Sequence, residues 1–531
     1  MVFRFPDARC NAAKSTLGFP GPCYTGEAQG ARTMKRFATA LLTACLFACA
    51  ALGQTAITGA TKAAPIFDPA ANADVIHLGG QLMLAGKAYE YDRVLADQIG
   101  PRLTGSSNYL KAAEWAESEF KRLGLKNAHR EAWEMEALWE PETYATARII
   151  APHEQRMHME SDGWSPSTPP GGVRGRVYYL HSFKPDEIKS DAAQIKDAVV
   201  LIDRGTFAAT EGFQFGNAID GMDMMVNEGA QAFLYGMGYT NDVASMLGIG
   251  AGNGKIARAP VGNVGNEDTS LLRRLLERGP VEVEFSFKNK VREHAKVDNV
   301  VAEIPGTDAN GEYVVIGGHL DSWHLGTGAE DNGTGAASVL AVAEAIEASG
   351  VKPKRTMRFI LFGGEEQGLI GSIDYVKQHV GEMEKCEGVF ITDTGSEPPE
   401  GWYTFGREDE VKALGDLKSE LAELDATGTT EGGGMTFSTD QGAFLLHGVP
   451  AFVLWTPMEK YSQLHHKPAD TFDKVDQRDL NLGAAVVGVT ALAFADATTD
   501  LPHLSQADVE SQLKKIKAFD EYQDMLTHGM L

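Results

Sequence analysis

The spacing of apolar residues before Gly124 predicts an amphipathic helix. Ala113, Ala116, Phe120 and Leu123 recur at intervals of three and four residues, which places them on one helical face. A glycine directly after such a run is typical of a helix end. The pattern therefore predicts a helix that stops at Gly124, and the Ala-rich residues 57–74 further upstream are predicted to be a linker.

From about Gly171 the pattern changes to short apolar segments between turn residues. These segments predict strands at residues 173–180, 198–202, 232–235 and 281–287. A series of short strands of this kind indicates a separate small domain that is rich in β-structure.

After Asn299, strand patterns alternate with helical patterns. Strands are predicted at residues 313–316, 357–362, 388–391 and 451–455, and helices at residues 333–348, 369–379 and 408–424. This alternation predicts an α/β domain whose parallel sheet is covered by helices on both faces. In open sheets of this class, ligand-binding and catalytic residues lie at the carboxyl ends of the strands.

Length, composition and charge narrow the class of protein. A chain of 531 residues is long enough for about two to four folding units. An apolar fraction of 43% and a charged fraction of 23% argue against wholesale disorder and against a multi-span membrane protein. The net charge of −25 repels nucleic acid phosphates and does little to attract anionic lipid headgroups. We therefore expect no nucleic acid partner and no membrane span.

The amino-terminal region predicts export of the chain. Residues 34–36 are Met, Lys and Arg, and residues 37–52 are nearly all apolar or small, as in a secretory signal peptide. Residues 1–33 are then predicted to be a leader from a misplaced start codon, with an unstructured leader as the alternative. We expect a periplasmic or secreted protein. A lipid anchor on Cys45 is the alternative, because the residues before it resemble a lipoprotein processing site.

His319 and Asp321 close the first predicted strand of the α/β domain. Residues two apart in an extended chain lie on the same side. A carboxylate in that position can accept the second ring proton of a metal-binding histidine and fix its tautomer. Taken alone, such a pair is more often a surface hydrogen bond.

A glycine-rich loop, residues 326–335, follows this strand and contains Asp331. Glycine loops before helices can hold a phosphate group, but the consecutive acids Glu330 and Asp331 oppose an anion, and no lysine follows in the loop. The glycines are therefore predicted to let the backbone bring Asp331 close to a metal ion.

Three further polar clusters follow predicted strands. Glu365 and Glu366 stand in a glycine-rich turn, Asp393 follows the next strand, and His465 and His466 lie in the loop after the last strand. Adjacent buried carboxylates repel each other unless cations compensate their charge. Each cluster alone is an ordinary surface feature, but five segments in the order His, Asp, Glu-Glu, Asp and His indicate a metal site.

This ordered set resembles the di-zinc exopeptidases, the family of bacterial leucyl aminopeptidases, glutamate carboxypeptidases and carboxypeptidase Q. The carboxypeptidase Q branch is the most similar, through residues 319–323, 352–356, 365–368 and 465–466. Residues 197–205 and the helical stretch after them resemble the protease-associated domain that is inserted in several exopeptidases. The resemblance covers residues 74–497.

The resemblance implies a three-layer α/β zinc-exopeptidase domain with a mixed, mostly parallel sheet, plus an inserted β-rich protease-associated domain. Together with the amino-terminal segments already described, the predicted order is a leader (1–33), a signal peptide (34–56), a linker with the amino-terminal part of the catalytic domain (57–160), the inserted domain (161–292), the catalytic domain (293–498) and a helical tail (499–531). The implied activity is zinc-dependent hydrolysis of dipeptides or small peptides.

The family's metal ligands fall on five positions of this sequence. The resemblance implies two Zn2+ ions per chain with the following ligands: His319 and Asp393 for one ion, Glu366 and His466 for the other, and Asp331 as the bridge. Glu365 matches the general base, and Asp321 is the catalytic-site residue that supports the ligand His319. Cobalt or manganese are alternative metals, because mixed histidine and carboxylate ligation discriminates poorly among divalent ions.

The choice between His465 and His466 rests on their distance from Asp470. In this family the ligand stands four residues before an Asp-Thr pair, which selects His466. A shift by one residue in an extended segment turns a side chain to the other face, so only one histidine is expected to reach the metal. Lys467 replaces the Ser or Thr that usually follows the ligand.

Residues that recognise the substrate carry weaker signals. Tyr461 is a candidate donor to the oxyanion of the transition state, or else a core residue beside the metal loop. Asp440 would fix a free amino terminus, and Arg407 or Lys460 a free carboxylate. A dipeptide presents both ends to one site, so carboxypeptidase and aminopeptidase activity both stay open.

Two other functions fit these residues less well. Glutaminyl cyclisation runs on a related fold with a single zinc ion and has no use for both His319 and Asp393. A non-catalytic receptor-like relative would have lost ligands, whereas all five are present here together with Glu365. The expected partner is a small peptide substrate, and a homodimer is left open.

Overall fold

The computed structural model describes residue 67, residues 72–236, residue 248 and residues 254–531. The predicted leader and signal peptide therefore lie outside the described residues. The described strands belong to one sheet. Their bounds are β1 Lys126–Ala151, β2 Gln155–Met157, β3 Met159–Ser161, β4 Val173–Tyr179, β5 Ala198–Asp203, β6 Ala232–Gly236, β7 Val261–Val264, β8 Glu282–Ile304, β9 Tyr313–His319, β10 Thr356–Phe362, β11 Cys386–Ile391, β12 Gly401–Tyr403, β13 Gly428–Thr430 and β14 Ala451–Trp455.

Helices connect and cover these strands. Their bounds are α1 Asn72–Ala85, α2 Ala88–Arg93, α3 Ser107–Leu123, α4 Pro185–Ser190, α5 Ala192–Ile195, α6 Arg204–Ala209, α7 Phe215–Asn227, α8 Asn266–Leu276, α9 Thr334–Ser349, α10 Ile370–Gln378, α11 Glu408–Asp416, α12 Lys418–Ala422, α13 Gln441–Leu445, α14 Glu459–Leu464, α15 Gln477–Ala495, α16 Gln506–Lys515 and α17 Phe519–Thr527.

The carboxyl-terminal half of the chain forms a mixed sheet with helices on both faces. The strand order is β13-β12-β14-β11-β9-β10-β8, in which β9 runs parallel to β10 and β11, and β14 runs parallel to β11. Alternate residues of β9 enter different cores: Val314 and Ile316 join the core that contains α9 and α15, whereas Val315 joins the core that contains α10 and α13. The predicted mixed α/β sheet between helices is confirmed.

A long two-stranded ribbon, β1 with β8, links this sheet to a second group of strands. Near its end β8 pairs with β10, and near its start it pairs with β4, which continues through β5, β6, β7 and β3. The strand predicted to end at residue 287 thus runs to Ile304, and the predicted domain border between residues 292 and 293 falls inside it. The ribbon carries exposed polar residues such as Lys288, and β1 lacks the continuous apolar run that marks a buried strand.

The helix predicted before Gly124 is confirmed as α3. The Ser106 side chain accepts a hydrogen bond from the Tyr109 amide at 3.1 Å, and Gly124 closes the helix at φ +92°. The helix predicted over residues 408–424 is instead broken at Leu417 into α11 and α12.

Helix α15 was not predicted, because its apolar residues surround the whole helix and leave no amphipathic period. Among the described helices it alone has the length and apolarity of a membrane span, yet 83% of that window is buried inside the structure, as in a core helix. Gly488 allows its close contact with Leu82 of α1, since a Cβ atom there would lie 2.8 Å from that leucine.

Four strand ends meet at one edge of the sheet. Phe362 at the end of β10 pairs with His319 at the end of β9, and Ile391 of β11 pairs with Gly317. The loop after β14 returns to the same edge, because the Thr327 amide donates a hydrogen bond to the Asp470 carbonyl at 2.7 Å. The predicted polar clusters therefore converge on this edge.

Candidate metal centre

Asp331 stands between two pairs of buried side chains. Its Oδ1 atom lies 3.4 Å from His319 Nε2, and its Oδ2 atom lies 3.3 Å from His466 Nε2. His319 Nε2 lies 3.1 Å from Asp393 Oδ1, and His466 Nε2 lies 2.8 Å from Glu366 Oε2. The five residues named from the sequence thus form two adjacent donor groups that share one aspartate.

Glu365 lies at the edge of the first group. Its Oε2 atom is 3.8 Å from His319 Nε2, and donor atoms of His319, Glu365 and Asp393 all lie within 4.8 Å of one another. The Glu365 and Glu366 side chains are both buried. The turn before them needs glycine, because Gly364 adopts φ +73° and a Cβ atom there would meet the Trp133 ring at 2.7 Å.

Asp321 connects the first histidine to this turn. Its two carboxylate oxygens accept hydrogen bonds from the Glu365 and Glu366 amides at 3.4 and 3.3 Å. His319 Nδ1 lies 3.5 Å from Asp321 Oδ1 and 3.0 Å from the Asp321 carbonyl oxygen. The Thr104 hydroxyl donates a further hydrogen bond to Asp321 at 2.7 Å. Asp321 therefore orients both the histidine and the two glutamates.

Arg102 holds the loop that leads to Asp331, and the sequence analysis did not identify it. This fully buried guanidinium donates to the carbonyls of Leu320, Thr327 and Gly328 at 2.9, 2.9 and 2.7 Å. More than 200 residues separate Arg102 from these partners, so no local pattern could indicate the contact. Its place in a short turn between two helices offered no other signal.

Asp470 fixes the other side of the Asp331 loop. Its carboxylate oxygens accept hydrogen bonds from the Glu330 amide at 2.7 Å and the Asp331 amide at 3.2 Å. Burial, with the charge of Asp331 adding to it, raises the pKa of Asp470 to about 8. Asp470, which the sequence analysis used only to choose between His465 and His466, therefore also positions Asp331.

The two adjacent histidines do not point to opposite faces, so that step of the sequence argument is wrong. Their rings stack with centroids 3.6 Å apart and planes 21° apart. His466 has φ +60°, which turns the backbone out of the extended conformation that the argument assumed. His466 lies nearer the carboxylates than His465, whose Nε2 atom is 3.7 Å from Asp331.

The candidates for substrate recognition fall in different places. Tyr461 is buried with its ring centroid 5.2 Å from that of His465, and burial, with the charges of Asp331 and Asp393 adding to it, raises its pKa. Asp440 is also buried near them, with a pKa of about 7 that burial raises. Lys460 instead pairs with Glu330 at 2.7 Å.

Arg407 likewise makes other contacts. It pairs with Asp409 at 2.6 Å and with Glu410 at 3.3 Å, neither of which belongs to the donor groups. The structure therefore keeps Tyr461 and Asp440 near the centre and engages Lys460 and Arg407 elsewhere.

The donor groups fit divalent cations. Burial raises the pKa of Glu365, and the charges of Asp393 and Glu366 raise it as well. Burial also raises the pKa of Glu366, and the charge of Asp331 adds to that shift. Glu365 Oε1 and Glu366 Oε1 are buried without a hydrogen-bond partner among the described residues. Mixed histidine and carboxylate donors of this kind suit zinc and similar metal ions.

Comparison with known proteins agrees with this geometry. Residues 299–490 match the family model described as "Peptidase family M28". Over this range the chain is therefore similar to the M28 peptidases. Carboxypeptidase Q of Mus musculus is 29% identical over 430 residues, which are 81% of this chain and 90% of that protein. The chain is therefore a metallopeptidase.

Solved structures extend the likeness beyond residues 299–490. A peptidase M28 precursor from Shewanella amazonensis matches with a TM-score of 0.70 at 25% identity, over 82% of this chain and 98% of that one. BSAP, described as a zinc aminopeptidase from Bacillus subtilis, matches with a TM-score of 0.60 at 22% identity, over 76% of this chain and 93% of that one. At this lower identity the likeness concerns the fold.

Replacement of Arg102 by Lys should destabilise the folded chain around the Asp331 loop. Lysine keeps the charge but cannot reach all three carbonyl groups, and each buried carbonyl without a donor costs about 1–3 kcal/mol. We expect the free energy of unfolding to fall by about 3 kcal/mol, as measured by chemical denaturation. The matched control is Arg148→Lys, whose side chain is 46% exposed and whose replacement should leave the free energy of unfolding nearly unchanged. Equal stability of both variants would contradict the role of Arg102.

Metal removal should lower thermal stability. Asp331, Glu365, Glu366 and Asp393 would then face one another without compensating cations, and a metal that binds only the folded chain stabilises it. At a free metal concentration 100 times the Kd this contribution is about 2.7 kcal/mol. Calorimetry with and without excess chelator measures the shift, and re-addition of zinc should reverse it. An unchanged Tm would argue against a metal centre at this cluster.

Proposed function

We propose that the chain is an exported zinc exopeptidase that hydrolyses peptide bonds of dipeptides or small peptides, in the manner of carboxypeptidase Q. The observation that carries the proposal is the position of Asp331 between two donor pairs, with Glu365 beside one of them. A cluster of this kind suits a reaction in which water attacks a peptide carbonyl.

The proposed centre holds two Zn2+ ions. His319 and Asp393 would hold one, Glu366 and His466 would hold the other, and Asp331 would bridge them. When bound, such ions polarise the peptide carbonyl and make water a stronger nucleophile at neutral pH. Three ligand carboxylates leave part of the metal charge uncompensated, which suits an attacking oxygen that carries negative charge.

Glu365 is the proposed general base. It is buried beside the donor groups but belongs to neither close pair, so its carboxylate remains able to accept a proton from the attacking water. The same carboxyl group can then deliver that proton to the leaving amine. Asp321 holds the Glu365 amide and thereby fixes the start of the side chain.

Tyr461 is proposed to donate a hydrogen bond to the oxyanion. Burial among four carboxylates keeps its hydroxyl protonated at neutral pH, which a donor requires.

Residues 161–292 are proposed to be a protease-associated domain. The support is the sequence resemblance and the parallel order of strands β4, β5, β6 and β7. Export through residues 34–56 is proposed from the sequence of that segment, with a lipid anchor on Cys45 as its alternative.

Aminopeptidase activity is the second candidate. It is favoured by the name of the matching Bacillus structure and by Asp440, a buried carboxyl group near the centre that could bind a free amino terminus. Carboxypeptidase activity is favoured by the carboxypeptidase Q relatives, which align over most of the chain. The proposed partner is a small peptide, with no nucleic acid, and a homodimer stays a prediction.

Replacement of Glu365 by Gln should abolish turnover and preserve metal binding. The amide keeps the shape of the side chain but cannot accept the proton of water, and general bases contribute about 10²–10⁴-fold to rate. Dipeptide hydrolysis and zinc content per chain are the two measurements. Glu423→Gln, at an exposed position, is the control for the charge change. Most of the wild-type activity in metal-loaded Glu365→Gln would remove Glu365 from this role.

The two histidines should differ in metal binding. His466 lies 2.8 Å from Glu366 and 3.3 Å from Asp331, whereas His465 lies 3.7 Å from Asp331. His466→Ala should lose about one zinc ion per chain and nearly all activity, and His465→Ala should keep two ions. Elemental analysis after dialysis gives the count. A reversed result would place the second ion at His465.

A panel of tripeptides should identify the end at which the enzyme cuts. Three substrates are required: unblocked, acetylated at the amino terminus and amidated at the carboxyl terminus. Release of the carboxyl-terminal residue from the acetylated peptide is the expected result for a carboxypeptidase. Activity on the amidated peptide together with none on the acetylated one would instead establish an aminopeptidase.

A further inference from the structure

Trp323 packs directly against His466. Their ring centroids lie 5.9 Å apart with planes at 66°, an edge-to-face arrangement. The indole is 4% exposed, and its Nε1 atom is buried with no hydrogen-bond partner in the described part of the chain. Packing, rather than a hydrogen bond from Nε1 to a described residue, therefore determines where the Trp323 indole lies.

The residues that pack on Trp323 come from a segment far away in the sequence. Trp164 meets it edge-to-face, with centroids 6.2 Å apart and planes at 82°. Gly163 approaches so closely that a Cβ atom there would lie 2.5 Å from the Trp323 ring. Both residues belong to the first turn of the proposed inserted domain.

Hydrogen bonds and ring stacking hold the turn that contains Gly163 and Trp164. Trp164 donates from Nε1 to the Ala137 carbonyl at 2.7 Å, and Trp139 donates from Nε1 to the Ser165 carbonyl at 2.8 Å. The Trp139 and Trp164 rings stack with centroids 6.2 Å apart. A chain of three indoles thus runs from ribbon β1–β8 to His466.

We propose that Trp323 is a positioning residue for His466, supported by Gly163 and Trp164. The stacked His465 ring and the edge-to-face contact with Trp323 together restrict the tilt of the His466 imidazole. A restricted ring keeps Nε2 aimed at the shared aspartate and Glu366, whereas a ring free to tilt binds metal less tightly. The inference rests on the proposed role of His466 as a metal ligand.

The experiment compares Trp323→Phe, Trp323→Ala and Gly163→Ala with the wild type. Gly163→Ala leaves the Trp323 side chain chemically unchanged but forces its ring to move, because the new Cβ atom would lie 2.5 Å from that ring. Gly415→Ala is the matched control, since a Cβ atom there meets nothing within 4 Å. Zinc affinity is measured by competition with a chromophoric chelator, and the absorption spectrum of the Co2+-loaded protein reports ligand geometry.

We expect Trp323→Ala and Gly163→Ala to weaken one of two metal sites at least about tenfold, in the range seen when support of a metal ligand is lost. Their Co2+ spectra should change. Trp323→Phe keeps an aromatic edge and should stay within about threefold of the wild type, as should Gly415→Ala. If Trp323→Ala does not fold, Gly163→Ala carries the same test.

Wild-type affinity and spectrum in folded Trp323→Ala or Gly163→Ala would overturn the inference. So would equal weakening by Trp323→Phe and Trp323→Ala, because rescue by an aromatic edge would then be absent. Failure of the proposed function gives a different result: wild-type protein that binds fewer than two metal ions, or binds two and hydrolyses no peptide.

Discussion

Like charges gathered at the carboxyl ends of strands β9, β10 and β11 are the constraint on which the rest of this structure depends. Asp331, Glu365, Glu366 and Asp393 are buried within reach of two histidine rings, where repulsion between carboxylates is strong and water offers little screening. Such a cluster is stable only if cations compensate it and if the backbone cannot relax outward. The first condition concerns the metal, and the second concerns the scaffold.

The scaffold meets its condition with hydrogen bonds to backbone groups. Asp321 accepts hydrogen bonds from the amides of the glutamate turn, and Asp470 accepts them from amides of the Asp331 loop. Arg102 donates to three carbonyl groups that precede Asp331. Each of these side chains is buried and comes from a different part of the chain. These hydrogen bonds hold the backbone of the loops at the strand ends in place, which a centre with short donor distances requires.

The second group of strands is joined to the carboxyl-terminal sheet by more than a linker. Strand β8 pairs with β10 at one end and with β4 at the other, so one strand belongs to both groups. The contact of Trp164 with Trp323 brings the same region against the side chain that packs on His466. Trp323 thus connects the region of Trp164 to the candidate metal centre, a contact that the position of Trp164 in the sequence alone would not suggest.

The sequence by itself determined the α/β pattern, the residues at the strand ends and the set of donors, because period, strand length and residue type are local properties. His319, Asp331, Glu365, Glu366, Asp393 and His466 could all be named from their order along the chain. Only the tertiary structure revealed Arg102 and Thr104 beneath the centre, since their partners lie more than 200 residues away. It also decided that both histidines face the same side and that β8 is continuous, because a backbone turn at His466 and pairing along a polar ribbon depend on contacts that no local pattern records.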